Sequence, residues 1–321
     1  MNDLIAPKNR QEIIAADDLK KHYIKAATSV NTRRAYQQDI RHYMQSGGLL
    51  PASVASIETY LITYAAKLKP STLQRKLIAL RHWHTYQNFT DPTKSPQIKK
   101  LMTGILREHN LPLLKAKTLS LDEITSMVSY LDDIKTGSAL RDRALILVGF
   151  FGAFRRSELV SMMWEDIDWE KEGIKINIKH SKTDQESKGQ VCILPYSSSN
   201  LCPVIALKNW QQFANSNSGP IFLRINKSQI ASNLALSAQS VNLILKKLAK
   251  NLNFKNAEQI SGHSLRRGFA TLASQKNLPL ISIMRHGRWK QERTVHGYIE
   301  EVKLFEDNPL NVLLSDKKHD K

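Results

Sequence analysis

Tyr298 stands nine residues after Trp289 in the stretch HGRWKQERTVHGYIEE, near the C-terminal end of a chain of 321 residues. Upstream, His263 and Arg266 form His-x-x-Arg in SGHSLRRGFAT, and Arg155 and Glu158 form Arg-x-x-Glu in AFRRSELV. Lys182 lies between these two stretches, in HSKTDQESKG. Metal-free exchange at a phosphodiester needs a nucleophile, cationic donors for the non-bridging oxygens, and an acid for the leaving 5′-oxygen. Each need has a candidate here. Tyr298 is the candidate nucleophile. An unperturbed phenol, with pKa of about 10, is ionised in roughly one molecule in a thousand at neutral pH, and an adjacent guanidinium favours the phenolate. Arg155 and Arg266 are the candidate phosphate clamp, because a planar, permanently charged fork can hold two phosphate oxygens together. Glu158 suits a supporting role, orienting the site through hydrogen bonds.

Taken singly, these residues are ordinary. A lone tyrosine is usually half-buried packing, a lone histidine is usually structural, and one lysine among 47 basic residues is usually solvated. Arg156 and Arg267 stand beside the two candidate arginines, and Lys188 is the alternative to Lys182. His286 and His296 are near neighbours that compete with Trp289 for a donor role. What lifts the set above chance is its order and spacing.

The elements that must carry these residues are legible in the hydrophobic pattern. Asn31–Gln45 reads as a helix with Tyr36, Ile40, Tyr43 and Met44 at helical spacing, stopped by Gly47-Gly48. A second helix covers Val54–Lys67, a third opens at Pro70 with Leu73, Leu77, Leu80 and His84 on one face, and a fourth opens at Ser95-Pro96. Arg75, Lys76 and Arg81 fall on the other faces of the third helix. Ser120 and Glu123 make a capping box before the next helix, and Arg141–Phe151 is apolar enough to be a central buried one. Ile174, Ile176 and Ile178 alternate with polar residues, and QVCILP returns with Val191 and Ile193 alternating, which predicts a β-hairpin with Lys182 at the start of its tip. Helical patterns resume at 204–213 and about 238–252.

Arg…Lys…His-x-x-Arg…Trp…Tyr in this order resembles the tyrosine recombinases of the phage integrase family. The stretches TRRAYQQDI, KPSTLQRKLIALRHWH and DPTKSPQIKKLMTGI are similar to that family's core-binding domain. The resemblance implies a mainly α N-terminal helical bundle, core-binding and SAM-like, followed by an α+β catalytic domain with a small antiparallel sheet or β-hairpin. The expected division is a flexible start at 1–16, the helical DNA domain at 17–107, a linker at 108–118, the catalytic domain at 119–302 and a tail at 303–321 that either folds back on its own domain or, as the resemblance favours, docks in trans.

The resemblance also assigns roles. Tyr298 attacks a phosphodiester and keeps a 3′-phosphotyrosyl link, and a 5′-hydroxyl from a partner duplex then religates. His263 donates to a non-bridging oxygen or shuttles the tyrosine proton, and Lys182 protonates the leaving oxygen. Trp289 holds a position where many members have a second histidine; its N–H can donate to phosphate and its ring can buttress Tyr298. The bond energy is held covalently, so no cofactor, ATP or metal is expected. The expected partners are double-stranded DNA and further copies of the chain, a dimer on a site and a tetramer in the synapse. Accessory DNA-bending or directionality proteins are not identifiable. Arg34, Arg75 and Arg81 are the candidate DNA contacts of the helical domain, holding phosphate rather than reading bases. Trp289 argues against a Xer-type resolvase and toward a mobile-element integrase. No additional arm-site domain is expected before the core-binding helices. The rivals are a type IB topoisomerase and a non-catalytic DNA-binding regulator on the same fold.

Composition agrees. Lys and Arg number 47 against 29 Asp and Glu, a net charge of +18 that an anionic partner would relieve. No apolar run is long enough to span a bilayer, the first residues lack a signal-peptide pattern, and Cys192 and Cys202 have no metal-ligand spacing. A reduced, cytoplasmic, nucleoid-associated setting is expected.

Overall fold

The computed structural model describes residues 18–20, 22–24, 26–110, 116–179, 189–303 and 310, with backbone alone for 300–303. The chain divides into two compact units, Met1–Leu113 and Leu114–Lys321.

The first unit is helical. Its helices are α1 (Val30–Gln45), α2 (Val54–Tyr64), α3 (Pro70–Tyr86) and α4 (Pro96–His109). Each start has a local cause. The Ser29 and Ser53 hydroxyls accept the Thr32 and Ser56 N–H groups at 3.2 and 3.1 Å, and Pro70 and Pro96 occupy first-turn positions where no N–H is needed. The apolar stripes converge on Tyr43, Ile57, Leu61, Leu73, Leu80 and Ile98, all essentially inaccessible. His84 is structural: its Nδ1 lies 2.8 Å from the Leu80 carbonyl, and its Nε2 accepts the Ala52 N–H at 2.9 Å.

The charge pattern of α3 needs one correction. Lys76, expected on an outer face, is 5 % exposed. Its ammonium donates to Asp39 at 3.1 Å, and Arg75 grips the same buried carboxylate at 2.8 and 2.9 Å. The partner lies on α1, so the pairing is invisible from α3 alone.

The second unit is built around α6. Its helices are α5 (Leu121–Ile134), α6 (Gly137–Phe151), α7 (Arg156–Ser161), α8 (Pro203–Ala214), α9 (Ala238–Asn251), α10 (Gly262–Gln275), α11 (Leu280–Gly287) and α12 (Glu292–Lys303). The capping box of α5 is formed, Ser120 and Glu123 bonding each other's N–H groups at 3.2 and 3.0 Å. Central α6 starts four residues before the expected Arg141, because the Thr136 hydroxyl caps the Ala139 N–H. Ala144–Val148 and Phe150 have no exposure. Helices α5, α8 and α10 pack against α6.

Strands β1 (Ile167–Trp169), β2 (Gly173–Ile178) and β3 (Gln190–Pro195) form an antiparallel sheet in that order, and β4 (Leu223–Ile225) pairs with β5 (Ala231–Ala235). Ile174 and Ile176 face the core, opposite Leu194 and Cys192. The inward face of β3 is therefore Cys192 and Leu194, and Val191 and Ile193 are 54 and 57 % exposed. The expected hairpin has the register Ile178↔Gln190, and its tip, with Lys182 and Lys188, lies outside the described residues. Among the described residues, no helix is long and apolar enough to cross a membrane.

Candidate active site

The C-terminal end of α6 is the floor of the site. A helix C-terminus presents unpaired carbonyls and a partial negative charge, which suits cations. The Phe151 carbonyl lies 2.6 Å from His286 Nε2, the Gly152 carbonyl accepts from Arg288 at 3.0 Å, and the Ala153 carbonyl accepts from both Arg266 and Arg288. Three side chains brought from α10 and α11 are thereby anchored to one turn.

Arg155 immediately precedes α7. Glu158, three residues on, reaches back to the Arg155 N–H at 2.9 Å and takes its guanidinium at 2.6 Å. Burial pushes the Glu158 carboxyl up, but the Arg155 N–H and the Arg288 and Arg155 guanidiniums more than offset this and leave it below the usual range. The Arg155 side chain remains 18 % exposed, and Arg156 points to solvent.

The turn Ser261–Ser264 starts α10 and places His263 and Arg266 three residues apart on one face. Arg266 is 2 % exposed, and its guanidinium lies 4.2 Å from the Trp289 ring centroid. Its Nη2 finds no hydrogen-bond partner among the described residues. Burial, then the charges of Arg155 and Arg288, push the guanidinium down to about 9, so it is still charged at neutral pH. Arg267 turns elsewhere, donating to the Ala116 carbonyl at 2.7 Å and lying 5.4 Å from the Tyr298 ring. His263 is exposed as a residue, yet partial desolvation and then Arg266, Arg156, Arg155 and Arg267 hold its imidazole below 6.5.

Helix α12 carries Tyr298. The half-buried ring meets Trp289 edge-on, and the Thr271 hydroxyl on α10 donates to the Tyr298 carbonyl at 3.2 Å. Trp289 joins Ala153, Ala270, Ala273, Ile283 and Val295 in a small apolar cluster of its own. A Cβ at Gly287 would fall 1.8 Å from the Trp289 ring, so only glycine lets the indole fold back over the helix end.

The structure thus gathers Arg155, Glu158, Arg266, Trp289 and Tyr298, with His263 inside their electrostatic field. It does not describe Lys182. His286, a competitor for the Trp289 position, stacks on Phe269 at 4.7 Å and serves the α6 terminus. Arg34 is exposed on α1, Arg75 is committed to Asp39, and Arg81 lies 3.6 Å from Asp91. Arg288 escapes sequence reasoning; its one visible sign is its place directly between Gly287 and Trp289.

The profile of the phage integrase family matches residues 117–303, and that of the phage integrase N-terminal SAM-like domain matches residues 17–87. An integrase/recombinase XerD homologue of Selenomonas ruminantium is 38 % identical over 300 residues, 91 % of this chain and 87 % of that protein. The chain belongs to the phage integrase family. It is an enzyme of the tyrosine recombinase class, whose family catalyses DNA cleavage and rejoining. The tyrosine recombinase XerA of Pyrococcus horikoshii is 24 % identical over 93 % of this chain and 91 % of its own. In fold the chain is similar to a lambda integrase dimer bound to a COC′ core site, with TM-score 0.60, 15 % identity and coverage of 89 and 94 %. It is also similar to the XerH recombinase in a post-cleavage complex with its difH substrate, with TM-score 0.59, 19 % identity and coverage of 89 and 79 %. Proteins named as Xer recombinases or their homologues are thus among the relatives.

Proposed function

We propose that this enzyme is a site-specific recombinase in which Tyr298 attacks a DNA phosphodiester, with Arg155 and Arg266 clamping the non-bridging oxygens. The tyrosyl oxygen bonds to phosphorus, the bond from phosphorus to the 5′-oxygen breaks, and the departing oxygen takes a proton from Lys182. His263 takes the Tyr298 proton or donates to a non-bridging oxygen, and Trp289 supplies its N–H and holds the nucleophile's helix. A 5′-hydroxyl of a second duplex reverses the step and joins the strands. Glu158 keeps Arg155 in place.

One observation carries this reading. Arg266 is a buried, charged guanidinium whose Nη2 has no hydrogen-bond partner among the described residues, beside the Trp289–Tyr298 pair. A buried cation with a spare donor is unfavourable unless an anion completes it, and a phosphate placed there would meet the tyrosine as well.

Double-stranded DNA is the substrate and the partner. The net charge of +18 supports phosphate binding, with Arg34, Arg75 and Arg81 contributing from the helical unit; all three are exposed, and Arg75 and Arg81 also lie against Asp39 and Asp91. The catalytic cycle uses a dimer on each site and a tetramer in the synapse, since two duplexes must exchange strands. Integration or excision of a mobile element is the setting we favour, supported by the likeness in fold to the Tn1549 transposon integrase, TM-score 0.60.

The deciding test is Tyr298→Phe on a nicked suicide duplex, resolved on a denaturing gel. The variant is expected to bind DNA within about three-fold of wild type and to form no covalent band. A covalent band that survives the substitution removes Tyr298 from the reaction.

A further inference from the structure

Arg288 adopts the left-handed backbone conformation, φ 59° and ψ 42°, one residue past α11. Its N–H bonds the Arg285 carbonyl at 3.2 Å, and the following N–H, of Trp289, returns to the Met284 carbonyl at 2.9 Å. This is the closure that ends many helices, and its left-handed position ordinarily falls to glycine, because a Cβ is disfavoured there. An arginine therefore holds a position for which its backbone is poorly suited. The reason must lie in the side chain.

That side chain runs inward and is 3 % exposed. Nη2 lies 3.0 Å from the Gly152 carbonyl, 3.3 Å from that of Ala153 and 3.5 Å from Glu158. Nη1 donates to the His286 carbonyl at 3.0 Å, and the guanidinium lies 4.5 Å from the Phe154 ring centroid. An apolar residue of similar length would fill this space just as well, so packing does not explain a buried charge. The contacts do. The backbone of Arg288 sets the turn that presents Trp289, and its guanidinium touches the carboxylate that holds Arg155. It also shares the Ala153 carbonyl with Arg266.

We propose that Arg288 is a positioning residue that ties the Arg155–Glu158 pair to the Trp289–Tyr298 pair, so that clamp and nucleophile keep one geometry as phosphate binds. The inference rests on the roles proposed above for Arg155 and Tyr298. Without Arg288, Glu158 keeps only Arg155 and can rotate with it, while the Trp289 turn loses its tether to α7.

The test is single-turnover cleavage of a nicked suicide duplex at saturating protein, with affinity from gel shifts and folding from thermal melts. Arg288→Met should cut the cleavage rate about ten-fold or more while affinity stays within about three-fold. Arg288→Lys, which keeps a cation within reach of Glu158, should restore at least about three-fold of that loss. Arg288→Gly suits the left-handed backbone, so it makes the same comparison if the Met variant does not fold, and should show the same rate deficit. The inference is overturned by a Met or Gly variant that folds and cleaves within about two-fold of wild type, by a rate loss matched by an equal loss of affinity, or by a Lys variant no faster than Met. A wild type that forms no covalent adduct overturns the proposed function itself, and this inference with it.

Discussion

The Trp289 ring stands edge-on to the Tyr298 ring, centroids 6.1 Å apart at an interplanar angle of 65°, while the Arg266 guanidinium lies 4.2 Å from the same indole. One aromatic side chain thus touches both the nucleophile and the clamp proposed here. Edge-on contact and a cation near an aromatic face are both favourable arrangements of the ring's charge distribution.

If the indole N–H also donates to phosphate, ring and donor can be separated by substitution. Trp289→Phe keeps an aromatic ring and removes the N–H. Its cleavage rate should fall roughly 10–100-fold, the equivalent of a charge-assisted hydrogen bond of about 1.5–3 kcal/mol. Its melting temperature should fall modestly, because the smaller ring leaves space in the buried Trp289 cluster. Single-turnover cleavage beside a thermal melt checks this, and an unchanged rate would show that Trp289 acts through packing alone.

The role proposed for His263 makes the reaction pH-dependent. Partial desolvation and the surrounding arginines lower its pKa below 6.5, so the imidazole is neutral at pH 7 and able to accept the Tyr298 proton. As pH falls through that lowered value the ring gains a proton and the base is lost. The acid limb of the cleavage rate should therefore lie below pH 6.5, and His263→Asn should abolish it. A wild-type limb centred above 6.5, or one that persists in the Asn variant, contradicts the assignment.

Asp39 predicts a stability effect remote from the chemistry. The carboxylate is 2 % exposed and holds Lys76, itself 5 % exposed, together with Arg75. Asp39→Ala leaves a buried ammonium without a counter-charge and should cost about 3–5 kcal/mol in urea unfolding of the full chain. Adding Lys76→Met should recover much of that loss. Burial pushes the Asp39 carboxyl up, but its bonds to Arg75 and Lys76 win and hold it below the usual value. A lowered folded pKa gives stability that is complete above the unfolded value and drains away as pH falls through the folded one. Wild type should thus lose this stability at acid pH, while the alanine variant shows no such loss from this source. Equal acid sensitivity in both would refute the pairing's role.

Legibility followed the range of each interaction. Arg155 with Glu158 and His263 with Arg266 are three residues apart, so their shared faces could be read from the chain. The Ser120–Glu123 cap was legible for the same reason. The commitment of Arg75 and Lys76 to Asp39 was not, because its partner lies 36 and 37 residues away and both residues sit in a run that reads as solvated charge. Which half of QVCILP faces inward depended on pairing with β2, not on its own alternation. β1 has 3 residues and β4–β5 has 3 and 5, too few for a period to emerge. Arg288 was hidden most deeply, since its importance depends on a left-handed backbone that the sequence assigns more readily to glycine.

We propose that the tail beyond α12 takes part in assembly. Phe305, Leu310, Val312, Leu313 and Leu314 are apolar, and Glu306, Asp307, Asn308 and Pro309 separate the first from the rest. An apolar end after a polar break suits a segment that leaves its own domain and docks on a neighbour. The second unit carries an apolar cleft of about 430 Å³, lined in part by Phe151, Ile193, Pro195, Leu201, Phe269 and Leu272. Closed, head-to-tail docking of this kind would link four protomers on two duplexes. Deleting residues 303–321 should then leave a protein that melts near the wild-type temperature and binds a single site, but loses cooperative two-site binding and recombination. A two-site gel shift beside a thermal melt decides between the alternatives. If the truncated chain melts many degrees lower without DNA, the tail covers its own domain, and docking between protomers is wrong.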